Sequence, residues 1–204
     1  MYPKSIQKLI KEFSKFPSIG PKTAARFVFY LLNSQEKETK ELINSISILS
    51  KNVKQCSFCF KYFEGEGELC EICSNRGRDK SKLCIVEKEI DLNAIERTKR
   101  YKGIYFILGG NISLKKNSEE KIRIKELIER IKDPNSFQLS NTSFEEIIIA
   151  TNPTTEGEAT ARFLKTKISP FDKKITTLGR GLPTGGELEY ADEETLEEAL
   201  NRRK

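Results

Sequence analysis

The sequence predicts a multidomain α/β protein in four parts: a helical N-terminal arm, a small four-cysteine finger, a parallel α/β body and a C-terminal extension. Three observations predict it. Apolar residues recur at helical spacing through the first quarter of the chain. Four cysteines then follow as C-x2-C, ten residues, C-x2-C. After residue 81, short apolar runs alternate with helix-like stretches, the pattern of a parallel sheet. The expected boundaries are 1–54 for the arm, 55–75 for the finger, 82–178 for the body and 179–204 for the extension.

The arm comes first. Ile6, Leu9, Ile10, Phe13 and Phe16 share one helical face, and Pro17-Ser18-Ile19-Gly20-Pro21 ends it. Gly20 is expected to take the left-handed backbone of a tight turn, and Pro21 suits a new helix's first turn. The second helix runs through Ala24, Ala25, Phe27, Val28, Leu31 and Leu32. Ser34 is expected to cap a third, with Leu42, Ile43, Ile46, Leu49 and Val53 inside. Residues 1–55 hold ten Lys/Arg against four Asp/Glu, a net +6 equal to that of the whole chain. Residues 56–81 carry −1 and residues 82–204 carry +1. A basic arm on a nearly neutral body points to an anionic partner, with nucleic acid foremost. The turn before the second helix presents free backbone N–H groups that suit a phosphate oxygen. Gly20, Lys22, Thr23 and Arg26 lie at that helix start, with Lys22 and Arg26 one turn apart. The bland alternative is an αα-hairpin with a solvated lysine face.

Cys56, Cys59, Cys70 and Cys73 come next. Two C-x2-C pairs, each able to grip one ion from a tight turn, make a tetrahedral four-sulfur site suited to zinc, one structural ion per chain. Gly65 and Gly67 make the spacer Phe60–Leu69 read as a hairpin tip. Its acidic residues, Glu64, Glu66 and Glu68, argue against DNA contact there. The site reads as a closed structural joint between arm and body. A fifth cysteine, Cys84, sits in an apolar strand pattern and reads as core. Paired metal-ligand cysteines, no run of 18 apolar residues and an opening Met1–Ser5 without a signal-peptide block lead to the expectation of a cytoplasmic chain with no membrane span. The chain has no histidine, which removes the Ser-His-Asp triad, the Cys-His pair and mixed Cys/His metal sites.

In the body, Leu83–Val86, Tyr105–Leu108, Ile147–Ala150 and Ile175–Leu178 read as strands. Helices are expected around Leu92 and Ile95, around Ile124–Ile131, and after Thr155-x-x-Glu158, read as a capping box, with Ala159, Ala161 and Phe163 on the helix. Functional groups of such a sheet gather at the carboxyl ends of its strands: Glu87, Gly109, Thr151-Asn152 and Gly179-Arg180. The tail from Gly179 to Asp192 is glycine-rich but lacks the Gly-Lys-Ser/Thr of a phosphate loop. A last helix, capped by Asp192, carries Leu196, Ala199 and Leu200.

Several of these stretches resemble known modules. Phe16–Ala24 resembles the helix-hairpin-helix motif, which grips DNA backbone phosphate. The strand–helix body is similar to a Toprim domain, whose catalytic form holds Mg²⁺ with a glutamate after the first strand and a D-x-D after a later one. Glu87 stands at the first place, but Thr151-Asn152-Pro153 stands at the second.

Taken in order, the Pro-x-Ile-Gly-Pro-Lys hairpin, the four cysteines, Cys84–Glu87, Leu108-Gly109-Gly110, Ala150–Ala159 and the Gly181–Tyr190 tail resemble the RecR family of bacterial recombination mediators over almost the whole chain. The resemblance implies a non-enzymatic DNA repair and recombination factor. It would form ring-like homo-oligomers (dimer to tetramer), bind gapped DNA without sequence preference, and act with RecO and RecF to load RecA on SSB-coated strands. It also implies that Lys22 and Arg26 face DNA and that the four cysteines are zinc ligands. Two departures stand out: a longer spacer between the cysteine pairs, and Asn111–Glu120 without a Gly/Pro-rich loop. Two other readings compete: a Mg²⁺-dependent Toprim enzyme that nicks or joins DNA, disfavoured by Asn152, and a protein-binding adaptor that never touches DNA.

Overall fold

The computed structural model describes residues 2–112, 122–139, 142–179, 181–182 and 184–201. Most of the Asn111–Glu120 stretch, Arg180 at the end of the fourth strand, and Pro183 in the tail lie outside the described residues. The chain divides into two compact units, Met1–Val53 and Lys54–Lys204.

The first unit is three helices: α1 (Lys4–Phe13), α2 (Pro21–Asn33) and α3 (Glu36–Asn52). α1 and α2 form a hairpin held by aromatic edges, with the Phe13 and Phe27 rings 5.8 Å apart and Tyr2 and Phe29 5.3 Å apart. Only Ala24 and Val28 are buried in α2, and none of the described residues of α1 or α3 is. Three expectations need correction. Phe16 lies beyond the end of α1 and is exposed. Gly20 is extended (φ −82°), and Ser18 takes the left-handed conformation (φ 62°) instead. Ser34 does not open α3: its hydroxyl bonds back to the Tyr30 carbonyl at 2.9 Å, closing α2, and Gln35 precedes α3. An i−4 carbonyl is nearer to a serine at a helix C-terminus than the N–H groups beyond it.

The second unit opens with a short antiparallel hairpin, β1 (Lys54–Gln55) and β2 (Tyr62–Phe63), and then a four-stranded parallel sheet. Its strands are β3 (Lys82–Val86), β4 (Ile104–Ile107), β5 (Glu146–Ala150) and β6 (Lys174–Thr177), in the order β4-β3-β5-β6. Between them run α4 (Glu89–Arg97), α5 (Ile124–Lys132) and α6 (Thr155–Ile168), and α7 (Glu193–Asn201) is the last described helix. The central strands are continuous apolar runs because helices cover both faces. Leu83, Ile85, Ile104, Phe106 and Ile147 are all fully buried. Cys84 sits in this core, and burial pushes its thiol up to about 12.

With right-handed crossovers, the connections leave β3 toward β4 and leave β5 toward β6, in opposite directions. The topological switch point therefore lies between the carboxyl ends of β3 and β5. Ladder pairing sets Val86 beside Ala150, so Glu87 and the Thr151-Asn152 turn emerge side by side. The cap of α6 falls one residue earlier than expected. Thr154, not Thr155, accepts from the Gly157 N–H at 3.1 Å. The buried stripe of α6 shifts accordingly, to Gly157, Thr160, Leu164 and Ile168. α7 begins as expected, with Asp192 accepting from the Thr195 N–H at 2.8 Å. No described helix is long and apolar enough to cross a membrane.

Candidate metal centre, strand-end site and basic arm

The first cysteine pair occupies the loop of the β1–β2 hairpin. The Phe60 N–H donates to the Cys56 carbonyl at 3.1 Å, and the Lys61 N–H donates to Cys59 Sγ at 3.4 Å. The spacer then turns through Gly65 (φ 135°) and Gly67 (φ 78°), backbone that glycine adopts readily. Its return is clasped to the first pair by the Ser57 N–H, which donates to the Glu68 carbonyl at 2.9 Å. The second pair closes with the Ser74 N–H on the Cys70 carbonyl at 3.0 Å.

The result is four buried thiols whose sulfurs all lie within 4.8 Å of one another, Cys59 and Cys70 at 3.5 Å. Ligands about 2.3 Å from a tetrahedral ion stand about 3.8 Å apart, so the cage matches a four-sulfur metal site. The electrostatics agree. Hydrogen bonds from Cys59, Cys70 and Cys73 draw the Cys56 thiol far down, while hydrogen bonding to Cys56 pushes the Cys59 thiol up. Four sulfurs this close cannot all ionise without a cation among them. The spacing made this site legible from sequence.

Less legible was how the cage is moored. The outer edge of β4 is covered by the first cysteine turn. The Ile107 N–H donates to the Cys59 carbonyl at 3.0 Å, which satisfies an edge group that would otherwise face solvent. Arg130 of α5, 5% exposed, donates from Nε to the Phe58 carbonyl and from Nη2 to the Ser57 carbonyl, both at 2.9 Å. Phe60 lies under two guanidinium groups, Arg123 at 4.5 Å and Arg130 at 4.7 Å from its ring centre, and meets the Phe106 ring edge-on at 5.5 Å. The one local hint was an arginine beside the apolar stripe Ile124, Leu127, Ile128, Ile131. The loop leaving the cage is tied down separately: Arg78 pairs with Glu96 and donates to the carbonyls of Tyr101 and Gly103.

At the switch point Glu87 is 2% exposed and both its oxygens are taken by one residue. The Asn152 backbone N–H donates to Oε1 at 2.8 Å and its side-chain Nδ2 to Oε2 at 2.9 Å. Gly157 makes room for this: a Cβ there would lie 2.0 Å from the Asn152 carbonyl and 2.9 Å from Glu87 Oε1. Where a metal-binding Toprim site places a second carboxylate, this chain places an amide that donates to the first. Glu156 and Glu158 lie in the first turn of α6.

On the arm, Gly20 precedes α2, Pro21 is its first residue, and no side chain caps that end. The first bonded amide is that of Ala24, to the Gly20 carbonyl at 2.9 Å. The Lys22 and Thr23 N–H groups precede that bond. The space beside Gly20 is open, with nothing within 4 Å of a Cβ built there. Lys22 and Arg26 are exposed, Thr23 is half-buried, and among the described residues neither cation is held in an ion pair.

Comparison with known proteins agrees with this architecture. The RecR helix-hairpin-helix family matches residues 6–49, the Toprim domain family residues 81–179, and the RecR C-terminal family residues 181–204. The recombination protein RecR of Chloroflexus aurantiacus, in strains J-10-fl and Y-400-fl, is 43% identical over 200 residues, covering 98% of this chain and 93% of the relative. With three matches in chain order and that identity across nearly its full length, the chain belongs to the RecR family.

Proposed function

We propose that this protein is a zinc-stabilised, DNA-binding mediator of recombinational repair with no active site of its own. The observation that carries the reading is the Glu87–Asn152 pair. At the switch point of the sheet, where a Toprim enzyme would hold Mg²⁺, the Asn152 amide is bonded to Glu87, the carboxylate that follows β3. The relatives' name, recombination protein, supports the cellular role. The finer role follows the family: action with RecO and RecF to load RecA on gapped, SSB-coated DNA in the cytoplasm.

In this reading the domains are the arm (1–54), the finger (55–75), the Toprim body (82–178) and the extension (179–204). Gly20 and the Lys22 and Thr23 amides meet a backbone phosphate, with Lys22 and Arg26 supplying charge. Such contacts position the protein without reading sequence. Cys56, Cys59, Cys70 and Cys73 hold one zinc ion, which serves folding rather than chemistry. Homo-oligomer formation, from dimer to tetrameric ring, is supported by the arm's surface: Leu32, Ile43, Ile46 and Leu49 are all exposed, an apolar display unusual for an isolated helical unit.

The test is direct. Purified protein is mixed with gapped duplex DNA at low salt, its solution mass is measured with and without DNA, and the DNA is then incubated with Mg²⁺ or Mn²⁺. A multimer that retains the DNA and leaves it intact is expected. Cleavage that disappears in Glu87→Ala would establish the enzyme reading instead, and a monomer that ignores the DNA would remove the mediator reading.

A further inference from the structure

We propose that Arg130 is the positioning residue of the metal centre: it pre-forms the first cysteine turn and supplies the positive charge that a loaded four-thiolate site requires. The inference rests on the reading that the cage holds zinc.

Three observations converge on it. First, three consecutive carbonyls of the first turn are anchored to the α/β body. Ser57 and Phe58 accept from Arg130, and Cys59 accepts from the Ile107 N–H. The second turn is held differently. Among the described residues its one bonded carbonyl, that of Cys70, is used locally by Ser74. One half of the cage is thus anchored to the body through its own carbonyls, and the other half is tied to the first by the Ser57–Glu68 and Lys61–Glu71 contacts.

Second, Phe60 directly after Cys59 adopts the left-handed conformation (φ 66°), strained for a bulky residue. It turns the Lys61 N–H toward Cys59 Sγ, the kind of outer bond that orients a metal ligand. A glycine would take this backbone freely but could not be gripped. The Phe60 ring is gripped by Arg130, Arg123 and Phe106, so the side chain that makes the conformation costly also locks it.

Third, the guanidinium of Arg130 is buried, and among the described residues no buried carboxylate pairs with it. Among the described residues the guanidinium donates to three carbonyls, those of Ser57, Phe58 and Glu126, and lies over the faces of Phe60, Phe106 and Phe137. The nearest acid, Glu129 at 3.8 Å, is itself exposed. Unmatched buried charge is costly. Four thiolates around a divalent ion carry a net charge of −2, and the Ser57 and Phe58 carbonyls that Arg130 holds belong to the turn between two of those sulfurs. The charge missing from the arginine's surroundings is the charge the loaded cage provides.

The experiment compares metal binding by the wild-type chain with Arg130→Met, Arg130→Lys and Leu127→Ala. Leu127 is fully buried on the same helix, so Leu127→Ala weakens the core without touching the cage contacts described. Co²⁺ titration reads sulfur coordination through its visible and charge-transfer bands, and competition with a chromogenic chelator gives Zn²⁺ affinity. Arg130→Met is expected to bind about 10- to 100-fold more weakly. Arg130→Lys, with the charge but not the fork, is expected between, and Leu127→Ala at wild-type affinity with a lower melting temperature. Wild-type affinity in Arg130→Met, or equal weakening in Leu127→Ala, overturns the proposal. If Arg130→Met does not fold, Arg130→Lys decides alone: wild-type affinity overturns the proposal and weaker binding supports it. A wild-type chain without a four-sulfur Co²⁺ spectrum would instead remove the zinc reading, and the proposal with it.

Discussion

Replacing Asn152 by aspartate tests the strand-end pair most sharply. In the native chain Asn152 Nδ2 donates to Glu87 Oε2 at 2.9 Å, and Glu87 is 2% exposed. Asn152→Asp keeps the shape, removes the donor and sets a carboxylate against a carboxylate. At this separation two unit charges repel by about 6 kcal/mol at an effective dielectric of about 20. Asn152 itself lies at the surface, so solvent and side-chain movement reduce this to about 2–4 kcal/mol. For a chain of this size that is a fall of about 5–15 °C in melting temperature. Asn152→Ala, which only deletes the donor and admits water in its place, is expected to cost less, about 1–2 kcal/mol. Adding Glu87→Gln to Asn152→Asp turns the repulsion back into a hydrogen bond, with the Gln amide donating to the new carboxylate, and most of the stability should return. Urea titration of the three variants and the wild type measures each term. An Asn152→Asp protein as stable as the wild type, or one that Glu87→Gln fails to rescue, would refute the reasoning.

Other consequences follow from the same contacts. Cys70→Ser should lower bound metal well below one ion per chain and reduce thermal stability, and a chelator should then have little further effect; a variant that folds normally without metal would show that the cage is not a structural metal site. Asp79 is drawn from its ordinary 3.8 to about 2 by the Lys82 ammonium and then the Ser81 hydroxyl. Its folded form therefore binds a proton less readily than its unfolded form, so its contribution is full above about pH 4 and is lost as pH falls toward 2. The wild-type minus Asp79→Asn difference in stability should shrink across that window; a difference constant from pH 5 to pH 2 would rule this out.

Much of the fold was legible because its signals are local. Cysteine spacing, short apolar runs and a Pro-Gly-Pro turn each depend on a few neighbouring residues. The misread positions are those where two neighbours could play one part. Thr154 and Thr155 both can cap a helix, Ser18 and Gly20 both can carry a turn, and Ser34 can close one helix as well as open the next. The surroundings, not the residue types, decide between them. What sequence could not supply are the long-range partners. The missing D-x-D was plain at Thr151-Asn152, but not that Asn152 would reach back 65 positions to hold Glu87. The four-cysteine cluster was plain too, but not that Arg130, 73 positions after Ser57, would anchor its first turn. Such contacts depend on the strand order β4-β3-β5-β6 and on where α5 lies, which no single stretch of the chain encodes.

The central claim is that this RecR-family chain holds DNA through the start of α2. The measurement that tests it most directly is the salt dependence of binding to gapped DNA by the wild type and by Lys22→Ala/Arg26→Ala. Both side chains are exposed, so the double variant should keep its fold and its metal content. Its affinity should fall, and the slope of log affinity against log salt should flatten by about 2 for two lost phosphate contacts. Unchanged affinity with an unchanged slope would contradict the claim and favour an adaptor that never touches DNA.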